Sequence, residues 1–289
     1  MIQLENEYLK VSINAKGAEL NNIYNKTTAL EYLWNGDPAF WSKKSPILFP
    51  IVGELKEGAY HHNGNTYHLG RHGFARDMEF ELTHSDHSSA LFSLKSNAET
   101  LEKYPFHFTL EIVYSIDENQ LCVKYKVHNT GEDTLYFSIG GHPAFRVPLA
   151  IGTHYEDYFL SFSHKESAPR WPISKEGLIE AEPLPFLNDT DRLPLSRELF
   201  FKDALVFKHL ESNEIKLLSS SSRHGLTFHF KGFPYLGIWA FKGADFVCIE
   251  PWCGIADSVG SNQHLADKEG INTLKQNDLF ERSWSVTTF

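Results

Sequence analysis

The chain of 289 residues holds only three cysteines and two methionines. Three is an odd number for a disulfide framework, and Cys248 and Cys253 make a C-x4-C pair that matches neither zinc nor redox spacing. Cys122, Cys248 and Cys253 all fall in strand-like runs, and reduced thiols inside a cytoplasmic protein are the expected state. Positive charge is also in short supply. Asp and Glu outnumber Lys and Arg by 37 to 27, giving a net charge of −10. That balance argues against nucleic acid or an anionic membrane surface as a partner. No run approaches the ~18 consecutive apolar residues of a spanning helix. Glu5, Glu7 and Lys10 stand where a signal peptide would need an apolar stretch, which points to a cytoplasmic location. Neither a G-x-S-x-G elbow nor a P-loop occurs, so serine hydrolases and nucleotide enzymes lack their motifs.

Helical periodicity is scarce too; the dominant period is two. In "FTLEIVYSI" the residues Phe108, Leu110, Ile112, Tyr114 and Ile116 share one face, and in "LCVKYKVHN" Leu121, Val123, Tyr125 and Val127 do the same. Turn residues separate these runs, so residues 106–141 read as a three-strand meander. Asn63-Gly64 in "YHHNGNTYHL" signals a type I′ hairpin. Further strands are expected at 8–14, 79–83, 90–95, 158–163, 204–208, 214–219, 225–230, 235–241 and 245–250. Short helical turns are expected only near "AETLEKY" and "SRELFF". Many short strands with almost no helix indicate an all-β, large antiparallel β-sandwich, read as one domain over 1–289. Residues 165–200, irregular and Pro-rich, are long enough to roof a site.

There are 15 histidines. His61 and His62 are adjacent and would point to opposite faces of a strand, and no H-E-x-x-H or Cys-His cluster accompanies them, so no metal site is expected. Three other segments concentrate chemistry. "GRHGFARD" (70–77) gathers Arg71, His72 and Arg76 between and after two glycines; a charged turn is the alternative. "FSIGGHPAF" (137–145) ends a strand in two glycines, above which a bulky bound group would meet no side chain, and places His142 before Pro143, which biases its backbone to extended form; an ordinary turn histidine is the alternative. "DFVCIEPWCG" (245–254) carries Glu250 at the end of an apolar strand beside Trp252. Desolvation there raises a carboxylate pKa and makes a better base near neutrality; a rim carboxylate paired to arginine is the alternative.

Taken in order with "ENEYLKVSINAKGAELNNIYNK", "WNGDPAFWSKKSPILFPIVGEL" and "DALVF", these segments resemble the aldose 1-epimerases of the galactose mutarotase superfamily, most of all the lactococcal X-type branch. The resemblance covers nearly the whole chain. It implies a supersandwich with a groove on one concave sheet, where a glutamate acts as base and a histidine as acid on a sugar. Carried over by motif, Glu250 is the base and His142 the acid. His72, Asp203 of "FKDALVF", and Arg71 or Arg76 bind the sugar, with Trp252 beside them. It implies no cofactor, a small sugar or sugar phosphate as partner, and a monomer or homodimer. The contexts "GGHPAF" and "IEPW" differ from the Asn-His and Glu-x-Gln contexts of the galactose-type enzymes, which leaves the sugar open. "RHGFAR" is also similar to the hexose-6-phosphate epimerase branch, where both arginines, with Lys43 or Lys44, would meet a phosphate. A non-catalytic sugar-binding module and a glycoside-cleaving enzyme with Asp203 as second carboxylate are the other readings.

Overall fold

In the computed structural model, which describes residues 1–289, the period-two runs become the centre of a nine-stranded antiparallel sheet. Its order runs Thr190–Pro194, Tyr158–Glu166, Glu214–Ser219, Leu226–His229, Leu279–Thr288, Gln120–Asn129, Phe108–Asp117, Ser89–Lys95 and Glu81–Ser85. The alternation is visible in burial: Phe108 to Ile116 and Leu121 to Val127 bury every second side chain. That buried face packs against a six-stranded sheet of Leu205–Lys208, Tyr235–Trp239, Phe246–Cys253, Ile139–Gly141 and Ile47–Leu48, with Ala144–Arg146 also pairing to Phe246–Cys253. Phe145 meets Phe228 at 5.7 Å and Phe49 meets Phe108 at 5.0 Å across the interface, inside an apolar core of 70 residues. The sandwich is antiparallel throughout its named strand pairs, as the sequence led us to expect. A further four-stranded sheet comes from Ile2–Glu5, Leu9–Ile13, Leu20–Asn25 and Leu30–Glu31.

Some local expectations hold in detail. Ala59–His62 pairs with Asn65–His68 around Asn63 and Gly64, whose φ values of 48° and 77° are those of a type I′ turn. Ala98–Lys103 is an α-helix with an Asn97–Thr100 capping box, and Arg197–Phe200 is a 3-10 turn. Others need correction. The meander has two strands, not three: Gln120–Asn129 pairs next with Leu279–Thr288, while Leu135–Phe137 leaves to pair with Asn272–Leu274 and Ile139–Gly141 joins the other sheet. The strand expected to end at Glu250 runs on to Cys253. A proline inside a central strand is tolerated at 251 because the neighbouring strand is interrupted there. Residues 252 and 253 pair with Gly140 and Ile139, residues 246–248 with Arg146 to Ala144, and the turn at His142-Pro143 lies between.

Candidate active site

Alternate residues of Phe246–Cys253 face opposite sides of its sheet, which puts Cys248, Glu250 and Trp252 on one face. Gly141 of the adjoining strand shows which face is which. A Cβ there would stand 2.6 Å from the Tyr125 hydroxyl and 3.0 Å from Trp284 Nε1, both on the large sheet, whereas one at Gly140 would meet Trp252. Trp252 and its row therefore look away from the large sheet, into a cleft of about 410 Å³. That volume suits a small molecule. Its walls include Glu250, His142, His72, Arg71, Arg76, Asp203 and Trp252, so one cleft brings together every site residue singled out in the sequence. Ile173, Gly177, Ile179 and Phe200 line it from the irregular 165–200 excursion.

The glycines do something other than what the sequence suggested. They do not clear space above the sheet for a ligand; Gly140 and Gly141 are absent from the cleft walls. A Cβ at Gly140 would sit 2.6 Å from one edge of the Trp252 indole, and a Cβ at Gly237, on the opposite neighbouring strand, 2.5 Å from the other. The two glycines let the indole lie flat across three strands as a floor.

At the deepest point His142 Nε2 stands 3.2 Å from Glu250 Oε2, with only 10% and 2% of the two side chains exposed. Trp41 stacks on the imidazole at 4.9 Å and 32°, and Trp239 meets it edge-on at 5.7 Å. Burial pushes the Glu250 carboxyl well above the ordinary carboxylate range; Arg71 opposes this, Asp203 adds to it, and the Trp252 indole N–H opposes it. Burial also pushes His142 down to about 3, its own carbonyl opposing and the positive charges of Arg71 and Arg76 adding. Both shifts favour neutral forms, so a carboxyl group faces an uncharged imidazole nitrogen at 3.2 Å. The other ring nitrogen of His142, Nδ1, is buried and finds no partner in hydrogen-bond geometry.

His72 lies close by, its ring 5.7 Å from that of His142. Its Nδ1 accepts from the Gly53 amide at 3.0 Å while its own amide donates to the Gly53 carbonyl at 2.8 Å. This double link fixes the tautomer: Nε2 carries the proton. Burial, then His142, Arg71 and Arg76, hold His72 well below its ordinary pKa, so it is a neutral donor. Its φ of 68° and that of Asp203, 86°, lie in the left-handed region that non-glycine residues seldom occupy. Such strain is concentrated where a side chain must be aimed. Arg71 Nη2 faces Asp203 Oδ1 at 3.8 Å, and Arg76 Nη2 donates to the Arg71 carbonyl at 2.9 Å.

Lys43 and Lys44 do not line the cleft. Lys43 bonds Asp77 and the Arg76 carbonyl, and Lys44 bonds Asn21. The cation that sequence reasoning missed is Lys242, on the cleft wall with Trp41, Trp239 and Phe241. Three of these four lie in "LGIWAFK", where a strand ends in aromatic residues and a lysine; that change of pattern was the available signal.

Comparison with known proteins gives a consistent picture. The aldose 1-epimerase family model matches residues 1–264. Two proteins of Lactococcus lactis subsp. lactis, the chromosomal and plasmid forms of protein LacX, are each 36% identical to this chain over 296 aligned residues, covering 99% of it and 98% of their own length. A galactose mutarotase related enzyme from Lactobacillus acidophilus superposes with a TM-score of 0.94 at 34% identity, over 100% of this chain and 97% of that one. A galactose mutarotase-like protein from Lactobacillus casei does so with a TM-score of 0.94 at 32% identity, over 100% of both. No helix is long and apolar enough to cross a membrane.

Proposed function

Since the chain belongs to the aldose 1-epimerase family, we propose that it interconverts the α and β anomers of an aldose, with Glu250 and His142 as the acid–base pair and His72, Arg71, Arg76, Asp203 and Trp252 as sugar-binding residues. The observation that carries this reading is the 3.2 Å contact between a buried carboxyl and a buried imidazole at the base of a small-molecule cleft.

Anomerisation opens the ring at C1. The proton on the C1 hydroxyl is removed, the C1–O5 bond breaks and O5 gains a proton; after rotation about C1–C2 the aldehyde recloses from its other face. Both oxygens are bonded to the same carbon, so two adjacent protein groups can reach them, one each. Flanking groups on opposite sides of the C1–O5 bond are not required.

The pair needs one proton in total. With Glu250 ionised and His142 protonated, the imidazolium supplies O5 and the carboxylate takes the C1 hydroxyl proton. The products are a neutral imidazole and a neutral carboxyl, which is the form that burial favours. Ring closure runs the exchange backwards. The neutral pair is thus both the resting form and the form that accompanies the open-chain species, and each group could contribute about 10²–10⁴-fold. Neutral His72 Nε2–H would donate to a hydroxyl, the Trp252 indole would carry the ring's apolar face, and the Arg71–Asp203 pair would present a donor and an acceptor to the remaining hydroxyls.

A free aldose fits better than its phosphate: Asp203 faces Arg71 Nη2 at 3.8 Å and Asp77 faces Arg76 Nε at 3.7 Å, so each guanidinium already has a carboxylate beside it that would repel a dianion. The test is an anomerisation screen by polarimetry over free hexoses, pentoses and their 6-phosphates. Acceleration of at least one free aldose supports the reading. A preference for phosphates of about tenfold or more, lost in Arg71→Ala or Arg76→Ala, would move the substrate class to sugar phosphates. Acceleration of none would favour a binding module, and release of reducing ends from a disaccharide would favour glycoside cleavage.

A further inference from the structure

Cys248 sits on the same strand face as Glu250, two residues away, and its thiol is fully buried beneath the pair. One donor atom each from His142, Cys248 and Glu250 lies within 4.8 Å of the others. We infer that these three residues form a binding site for a thiophilic divalent cation, Zn²⁺ being the best match, with a fourth coordination position open to the cleft.

The donor set is what such a cation selects. Zinc takes thiolate, imidazole and carboxylate ligands in tetrahedral geometry, and sites with three protein ligands leave one position for water or substrate. Bonds of about 2.0–2.3 Å set tetrahedral ligands roughly 3.3–3.7 Å apart. His142 Nε2 and Glu250 Oε2 already stand at 3.2 Å, and modest closure of the thiol completes the set. A soft sulfur ligand disfavours Mg²⁺ and Ca²⁺, which prefer oxygen. Charge does not forbid occupancy: a thiolate and a carboxylate together balance the ion, Asp203 favours it, and Arg71 and Arg76 oppose it. Access runs through the cleft, since both His142 and Glu250 line it while Cys248 lies behind them.

Binding breaks the Cys248 S–H bond and forms a metal–sulfur bond. The thiol proton and the Glu250 carboxyl proton leave to solvent, and nothing is oxidised or reduced. An ion held there takes both members of the acid–base pair, so it blocks anomerisation and competes with sugar. That inhibition rests on the function proposed above; binding does not, and the test therefore reads binding.

Full-length protein free of metal is titrated with Cd²⁺ and followed by thiolate-to-metal charge-transfer absorption in the ultraviolet, then with Zn²⁺ by calorimetry. The expected result is a charge-transfer band that saturates at one equivalent and is lost in Cys248→Ser and Cys248→Ala. Cys122 and Cys253 remain in both variants as internal controls. Outer-shell partners alone are worth about 10–100-fold in metal affinity, so removing a direct ligand should weaken Zn²⁺ binding at least about tenfold. His142→Asn, with all three thiols intact, should weaken it comparably, which covers the case in which neither cysteine variant folds. Absence of the band, or Zn²⁺ affinity unchanged in the folded Cys248 or His142 variants, would overturn the proposal.

Discussion

Replacing Glu250 by Gln should make the protein more stable while removing its turnover, and the gain should grow with pH. Glu250 is 2% exposed and has no cation in hydrogen-bond contact; its nearest partner is the His142 ring. Burial raises its folded pKa above the unfolded value of about 4.5. A raised pKa means that the folded protein holds the proton more tightly. Its contribution is therefore fully present below the unfolded pKa and is lost as pH rises through the folded value. Each tenfold weakening of the acid corresponds to about 1.4 kcal/mol, and each kcal/mol to about 2–4 °C in Tm for a domain of 150–250 residues. Glutamine keeps the shape, cannot ionise, and escapes that decline. Thermal melts of wild type and Glu250→Gln at pH 5 and pH 8, followed by circular dichroism, should give nearly coincident curves at the lower pH. At the higher pH the variant should melt several degrees above wild type. A variant less stable than wild type at pH 8, or a difference independent of pH, would refute the argument that the site holds a desolvated carboxyl. The same substitution should lower kcat by about 10²-fold or more.

Three further outcomes follow from the geometry. His142→Asn should lower kcat by a factor comparable to Glu250→Gln with sugar binding largely kept, whereas His72→Asn should act mainly on KM, a split that steady-state polarimetry reads directly. Gly237→Ala should lift the Trp252 indole from the sheet, costing about 1–3 kcal/mol of overpacking by denaturant melts and weakening sugar binding, because its Cβ would stand 2.5 Å from the ring. Lys268→Met should cost about 3–5 kcal/mol by breaking a buried ion pair. Lys268 Nζ lies 2.7 Å from Asp257, each side chain 3% exposed, and Asp257→Leu added to it should recover part of the loss.

The parts of this molecule that were readable from sequence are those with local causes. Alternation over residues 108–116 and 121–129 fixes a half-buried strand, and Asn63-Gly64 fixes a tight turn, because each depends on neighbours in the chain. The third strand of the supposed meander failed for the complementary reason: whether 135–137 pairs with 120–129 or with 272–274 is decided by partners far away in sequence. The apolar run before Glu250 marks it in the sequence but sets it at a strand end, because Pro251 reads as a terminator unless the break opposite it is known. The glycine pair stands out in sequence beside His142, but its purpose lies in Trp252, Tyr125 and Trp284, which only the packed sheets bring near. Trp41 and Trp239 frame His142 on two sides, yet neither is legible as a site residue: Trp239 ends a strand and reads as core, and Trp41 sits in a loop that only the fold brings against His142.

The most direct test of the central claim is exchange spectroscopy on the anomeric carbon of labelled aldoses, at equilibrium, with wild type and Glu250→Gln. The account predicts α–β exchange in at least one aldose at a rate proportional to wild-type enzyme concentration, collapsing by about 10²-fold or more in the variant. Exchange no faster than in buffer for every aldose and aldose phosphate would contradict it, as would a variant that retains activity within a few-fold of wild type.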